Sequence, residues 1–490
     1  KTLKLFGLNT YSDIFSIPEG SFSVAENVVI DQNNVLSPRR GYEILTRDIS
    51  GGGQITTSSG QTLFYYNSRV HLQLTSGEIY YYDPDADNWV FYGVDNTIVK
   101  PDSENRSRFV AANRNLYATS NQGVQKIDEL GQTIRDSGAP EAFGAELEAE
   151  LAGTVVDAGN SVAYRIVWGY KDNNKNLILG APSERLVVQA VANAKFRLSI
   201  PIPTQIDSSL WFCQIYRTKQ SAVIPNDELF LAAEFNPTPA QITAGIITGF
   251  VDEQVEERLG VPLYTNATQE GLANANFEAP QCVDVALYQG HVFYANTQRK
   301  SEIIFTLTAT GGAYGVAEND QFIISDGTDT ETYIAKASPT DIPNDGNDDG
   351  GTYEFTLVNL GSPQGDVEAT ARSLIAEINK KSDKYVAYYW SDISPDSTDF
   401  AGQIRITERD FNLAPNFTIQ STSNENAYIP SIDTAVASDA EIRPNRIYYS
   451  KFQEPEAVPL PNFFDVGPAN SKILRIVPLR TSLLIFTEEA

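Results

Sequence analysis

Methionine is absent from all 490 residues, and histidine and cysteine number two each. Each scarcity excludes something. His71 and His291 both fall on predicted hairpin strands, and one hydrolytic triad cannot draw on both if those hairpins lie apart. A Cys/His zinc site would need ligands that this chain hardly holds. Cys213 and Cys282 allow one bridge at most, so no disulfide framework is needed. Each reads as a buried free thiol, since neither lies near a predicted helix N-terminus that would lower its pKa. Cationic residues are few, 36 Lys and Arg against 63 Asp and Glu, for a formal charge of −27. A field of that sign opposes nonspecific wrapping by nucleic acid, which depends on neutralising phosphates, and leaves room only for a local basic patch. No apolar run approaches the roughly 20 residues of a membrane helix, and the opening residues lack the pattern of a signal peptide. At typical usage such a chain holds about ten methionines. Selection rarely removes one residue type entirely, so omitted methionines are expected to have stood between some of the residues adjacent here. One omission inverts the two faces of a strand.

What is present is β-forming. Apolar residues make up 41% and charged residues 20%, enough for several cores and too apolar for wholesale disorder. At about 150 residues per domain the length suggests three units. Short runs rich in Tyr, Phe, Val and Ile alternate with Gly, Asn, Asp and Ser turns. Leu63-Phe64-Tyr65-Tyr66 leads through Asn67-Ser68-Arg69 to Val70-His71-Leu72-Gln73-Leu74, and after Gly77 to Ile79-Tyr80-Tyr81-Tyr82. This reads as a β-meander. Similar pairs recur at 108–119, continued by 122–127, at 282–295 across Gln289-Gly290, and at 473–486 across Arg480-Thr481-Ser482. The first two copies lie about 45 residues apart, near the period of propeller blades. Later copies are much further apart, so other domains are inserted between blades. The last strand pair breaks off at Phe486-Thr487-Glu488-Glu489-Ala490, and the blade is expected to continue in a longer protein.

The predicted fold class is therefore mainly β, a β-propeller carrying an inserted β-sandwich-like domain and an inserted small α+β domain. Its segments are N-terminal strands and first blades at 1–149, the sandwich at 150–255, a return to the propeller at 256–302, the α+β domain at 303–435, and a further blade at 436–490. In the sandwich, Trp168 and Trp211 read as core residues. The α+β domain holds the chain's best helix, near 366–381, with Asp366 as its cap. Val367, Ala371, Leu374, Ile375 and Ile378 recur there at helical spacing, while Glu377, Lys380 and Lys381 face outward or close the helix.

Chemistry-bearing constellations are few. The acidic stretch 341–350 offers Asp341, Asp345, Asp348 and Asp349 as weak Ca²⁺ ligands, but Thr352 stands where a calcium loop needs its bidentate Glu, so a solvated turn is the better reading. Gly51-Gly52-Gly53 lacks the following Lys-Ser/Thr of a phosphate cradle. No pair of carboxylates can be singled out for glycoside hydrolysis, and no catalytic residue, cofactor or metal is assigned. Arg39 and Arg40 follow a short hairpin. They are either a solvated turn or a guanidinium pair facing an acidic subunit surface or DNA in a pore.

Several stretches together carry a resemblance. Glu26-Asn27-Val28-Val29-Ile30-Asp31 with Leu36-Ser37-Pro38-Arg39-Arg40-Gly41-Tyr42, then 115–126, then Leu263-Tyr264-Thr265-Asn266 with Gln269-Glu270-Gly271, then 449–459 running into 473–486, resemble in order the tail nozzle proteins of short-tailed bacteriophages, also called tail tubular protein B. The resemblance implies a structural virion protein at the distal end of the tail, with no catalytic residues to carry over. It implies a homo-oligomeric ring, typically of six copies, below a tail adaptor protein. Fibres or spikes would dock outside, and duplex DNA would pass through the channel without sequence recognition. Contact with the host envelope surface would follow. Two other classes fit a propeller: a receptor-binding tail adhesin and a glycan hydrolase.

Overall fold

The computed structural model describes residues 7–8, 21–22, 28–30, 36–38, 46–55, 60–92, 98–102, 104–128, 133–208, 210–307, 316–339, 351–358, 363–390, 402–411, 417–421 and 435–488. These fall into two compact units, one drawn from 1–56 and 83–89, the other from 57–82 and 90–490. In the first, Val28–Ile30 pairs antiparallel with Leu36–Pro38, so the predicted hairpin forms there. Gly7–Leu8 runs parallel to Ser21–Phe22, and the Trp89 indole N–H donates to the Thr46 carbonyl at 2.8 Å.

The second unit is mainly β, and its framework is a series of antiparallel meanders. The first consists of Gly60–Tyr66, Arg69–Leu74 and Ile79–Asp83, the second of Phe109–Ala112, Asn115–Ser120, Gly123–Asp128 and Thr133–Asp136, both hydrogen-bonded in chain order. The third joins Gln281–Tyr288 and His291–Gln298 to Ile442–Tyr449 and Phe463–Asp465, with 302–437 inserted between its second and third strands. Ile473–Leu479 and Ser482–Thr487 make a final hairpin. The turns follow from sequence. Asn67 (φ 46°) with Ser68 (φ 61°), and Gln289 (φ 48°) with Gly290 (φ 81°), are two-residue connections left-handed at both positions, whose twist matches that of paired strands.

Successive sheets pack face to face, and the two-residue period of a strand decides which core each side chain enters. Leu116, Ala118 and Ile127 of the second meander join Tyr66 and Ile79 of the first, together with Tyr92. Tyr117 and Val124, pointing the other way, join Val285, Tyr294 and Tyr448 of the third. The next residues in each of those three strands, Ala286, Ala295 and the preceding Ile447, enter a core with Ile473 and Ile476 of the final hairpin. Inner strands are thus covered on both faces, and Asn115–Ser120 and Gly123–Asp128 are buried throughout.

Two modules hang from this series. In the first, the sheet Glu146–Val156, Ala194–Pro201 and Ile246–Val251 faces a five-stranded sheet built on Ser161–Lys171 and Trp211–Thr218. Their shared core contains Trp168, Trp211, Phe196 and Cys213, so both tryptophans lie where the alternation puts them. The module also has a helix beyond the single one expected from sequence: α1 (Pro239–Ala244), started by a Thr238–Gln241 capping box and stopped by left-handed Gly245. In the second module, α2 (Pro363–Lys381) begins three residues before Asp366, which therefore lies in the first turn and is not the cap. Val367, Ala371, Leu374 and Ile378 of α2 pack on strands including Tyr385–Tyr389 and Thr352–Thr356.

Ile447 is fully buried while Ile442, on the same strand, is 56% exposed. Ile447→Ala should cost about 2–5 kcal/mol and Ile442→Ala no more than about 0.5 kcal/mol, read from urea unfolding midpoints.

Candidate functional site: buried ion clusters joining the sheets

A lysine on the inner face of a fully buried strand must bring its counter-charge with it. Lys126 sits on such a strand with its side chain 1% exposed. Its ammonium lies 2.6 Å from Glu456 Oε1 and 3.0 Å from Asp172 Oδ2. Glu456 belongs to the loop after Ile442–Tyr449, and Asp172 to the turn after Ser161–Lys171. One cation therefore ties the second meander to the third and to the sandwich module. Both acids are saturated. Glu456 Oε1 also accepts the Tyr117 hydroxyl at 2.9 Å, while Oε2 accepts the Tyr170 hydroxyl at 3.1 Å and the Gly138 N–H at 3.1 Å. Asp172 Oδ2 accepts amide donors from Asn115 and Asn176, each at 2.8 Å.

The electrostatics follow. Burial pushes the Tyr117 and Tyr170 hydroxyls well above the usual range, and the Glu456 charge pushes the same way. For Asp172 burial acts upward but is outweighed by hydrogen bonds from Asn176, Asn115 and Lys126, leaving its carboxyl below the usual range. A cluster whose donors and acceptors all face one another is built for cohesion.

A second cluster joins the next sheets. Asp284, fully buried on Gln281–Tyr288, accepts from the Arg475 guanidinium at 2.5 Å and the Ile476 N–H at 2.6 Å, with Arg108 at 4.0 Å. These residues come from the third meander, the final hairpin and the edge of the second meander. Burial raises the Asp284 carboxyl despite the Ile476 N–H and both arginines. In the loop that carries Glu456, Lys451 pairs with Glu270 and lies 4.8 Å from the Tyr264 ring centroid. Three of the stretches singled out in the sequence (115–126, 263–271 and 449–459) therefore meet through Lys126, Glu456, Lys451 and Glu270.

Of the residues proposed from sequence, Arg39, Arg40, Asp341, Asp345, Asp348 and Asp349 lie outside the described residues. Among the described residues no group of three or more His, Cys, Asp or Glu side chains could hold a metal ion. His71 stacks on Phe64 at 4.9 Å, and burial, then the Arg69 charge, lower its pKa to about 4 against the hydrogen bond to the Arg69 carbonyl. His291 belongs to the third meander and hydrogen-bonds the Ser450 carbonyl at 2.8 Å. Both cysteines are buried free thiols. The ion clusters themselves were missed from sequence. The available signal was a lysine, Lys126, two residues after Val124 in a strand run, which the alternation puts on the same face as that apolar residue.

The chain matches no protein-family model and no curated protein. Among solved structures, the extracellular domain of a one-component system from B. thetaiotaomicron aligns over 98% of this chain and 77% of its own, at 9% identity and a TM-score of 0.13. A likeness that low carries neither fold nor function.

Two predictions follow from the charges. Lys126→Met strands two buried carboxylates and should cost about 3–5 kcal/mol in chemical denaturation. Adding Glu456→Gln should recover part of the loss, whereas simple addition of the two costs would contradict the coupling. Burial also raises Glu408 from 4.5 to about 7, against hydrogen bonding from the Ser301 N–H and the charge of Lys300. A carboxyl with a raised folded pKa contributes stability that is full below about 4.5 and lost as pH rises through about 7. Unfolding midpoints should fall across that window in the wild type and flatten in Glu408→Gln.

Proposed function

We propose that the chain is a structural virion protein of the distal tail nozzle of a short-tailed bacteriophage, and that its meanders are blades of a β-propeller. Copies assemble as a ring whose channel retains the genome and then conducts it into the host. The observation that carries this reading is the series of antiparallel sheets packed face to face in chain order, with whole modules inserted into their connections. Blades pack in this way around a propeller axis. The convergence of three nozzle-like stretches on linked ion pairs adds support, because it gives each stretch a structural task.

The nozzle's work is mechanical. A channel wall must keep its shape under the pressure of packaged DNA, and sheets cross-linked by desolvated ion pairs resist shear between blades. The formal charge of −27 fits a lumen that repels a polyanion, so that duplex DNA slides without adhering. A tail adaptor ring above and fibres or spikes outside are the partners this role requires.

The test is a single-particle reconstruction of the intact virion's tail fitted with this chain. Copies surrounding the distal channel, with an acidic lumen, are expected. Density only in a peripheral appendage would overturn the reading in favour of a receptor-binding adhesin, and turnover of host polysaccharide by the purified chain would overturn it in favour of a hydrolase.

A further inference from the structure

The module at 302–437 is joined to the third meander by one narrow neck. The chain enters beside Ser301 and leaves beside Asp439, where Glu302 and Asp439 exchange backbone hydrogen bonds at 3.2 and 3.1 Å. Just outside, the Arg299 N–H donates to the Glu441 carbonyl at 3.1 Å. Inside the neck the module has its own core. Every member of its hydrophobic cluster, from Ile303 to Ile419 with Val436 packed against it, belongs to the module itself.

Its seam with the rest of the unit has a different character. Arg372 of α2 pairs with Glu184 at 3.2 Å. Arg405 pairs with Glu141 and lies 4.4 Å from the Tyr388 ring centroid. Arg409 donates to the Thr204 hydroxyl at 3.1 Å. Apolar side chains meet there too, with Phe143 against Tyr388 at 5.3 Å between ring centroids and the Phe411 ring against Gly123. Between these contacts the seam is open. Cavities of about 540, 370 and 230 Å³ lie along it, each lined by module residues on one side and by residues outside the module on the other. The clefts interrupt direct packing between the module and the rest of the unit, and an interface between parts of one chain that is divided in this way permits relative motion.

We infer that the described residues of 302–437 form a hinged arm, swinging as a rigid body about the Ser301/Asp439 neck and held down by an electrostatic latch, Arg372–Glu184 and Arg405–Glu141. The two-stranded neck supplies the hinge, because a pair of adjacent crossings constrains twist while allowing flexion. The separate core lets the arm keep its fold when it lifts. The latch holds by directional ion pairs between the clefts of the seam. The inference concerns the single chain and stands apart from the nozzle reading.

The test uses the full chain labelled with nitroxides at Val191→Cys in the sandwich and Thr328→Cys in the module, both exposed, with the buried native thiols left unlabelled. Pulsed dipolar spectroscopy should give one narrow distance in the latched chain. In the Glu184→Gln/Glu141→Gln variant a second, displaced distance should rise at least about tenfold in population, the ratio that a loss of 1.4 kcal/mol sets. Hydrogen exchange at Tyr385–Tyr389 should stay as slow as in the parent, showing that the arm remains folded. An unchanged distance distribution in the variant would overturn the inference. So would loss of protection at Tyr385–Tyr389, which would make the seam part of a single folding unit.

Discussion

A lysine ammonium buried among sheets has to be held by carboxylates, and Lys126 is held by two that come from elsewhere in the chain. Taking three charges out of water is expensive, and their attraction offsets that cost only when every remaining lone pair and proton is satisfied. Here Tyr117, Tyr170, Asn115, Asn176 and the Gly138 N–H complete the set. Positions of three segments are thereby fixed together: the second meander, the root of the sandwich and the loop carrying Glu456. An apolar core of equal volume would hold them with less directional preference.

That constraint matters because the framework is a series of stacked sheets, the inner of which are covered on both faces. Apolar stacking alone sets sheet separation but is tolerant of sliding, since a shift along the strand exchanges one apolar neighbour for another. Buried ion pairs remove the tolerance. Lys126 with Glu456 sets the offset between the second and third meanders, and Asp284 with Arg475 and the Ile476 N–H sets that between the third meander and the final hairpin. At the first interface uncharged bonds act in the same way, with the Gln73 amide on the Ser107 hydroxyl at 3.0 Å and the Tyr66 hydroxyl on the Arg114 carbonyl at 2.6 Å. For the channel wall proposed above, fixed offsets would be the useful property.

Local features were legible in the sequence and distant ones were not. The hairpins at 63–74 and 282–295 carry turn residues suited to left-handed backbone, and the structure forms their turns at Asn67-Ser68 and Gln289-Gly290. Alternation placed Trp168 and Trp211 in a core, and helical spacing located α2. The start of α2 was missed because Asp366 is a good cap by type, while Pro363 suits a first turn equally well. Helix α1 was passed over although Thr238-Pro239-Ala240-Gln241 is a capping box with Pro at its first helical position, because six residues show no period. The Lys126 cluster had no local signature. Its members stand 46 and 330 residues apart, and only the fold brings them together. The proposed metal and pore residues, on 341–349 and at Arg39-Arg40, remain sequence readings.

The claim at the centre of this account is that one buried cation couples three separate segments. Hydrogen exchange on the folded chain, comparing the parent with Lys126→Met under conditions where both stay native, tests it most directly. The account predicts that protection falls together in Gly123–Asp128, in the turn at 172–176 and in the loop at 454–458. Faster exchange confined to Gly123–Asp128, with the other two segments unchanged, would contradict it.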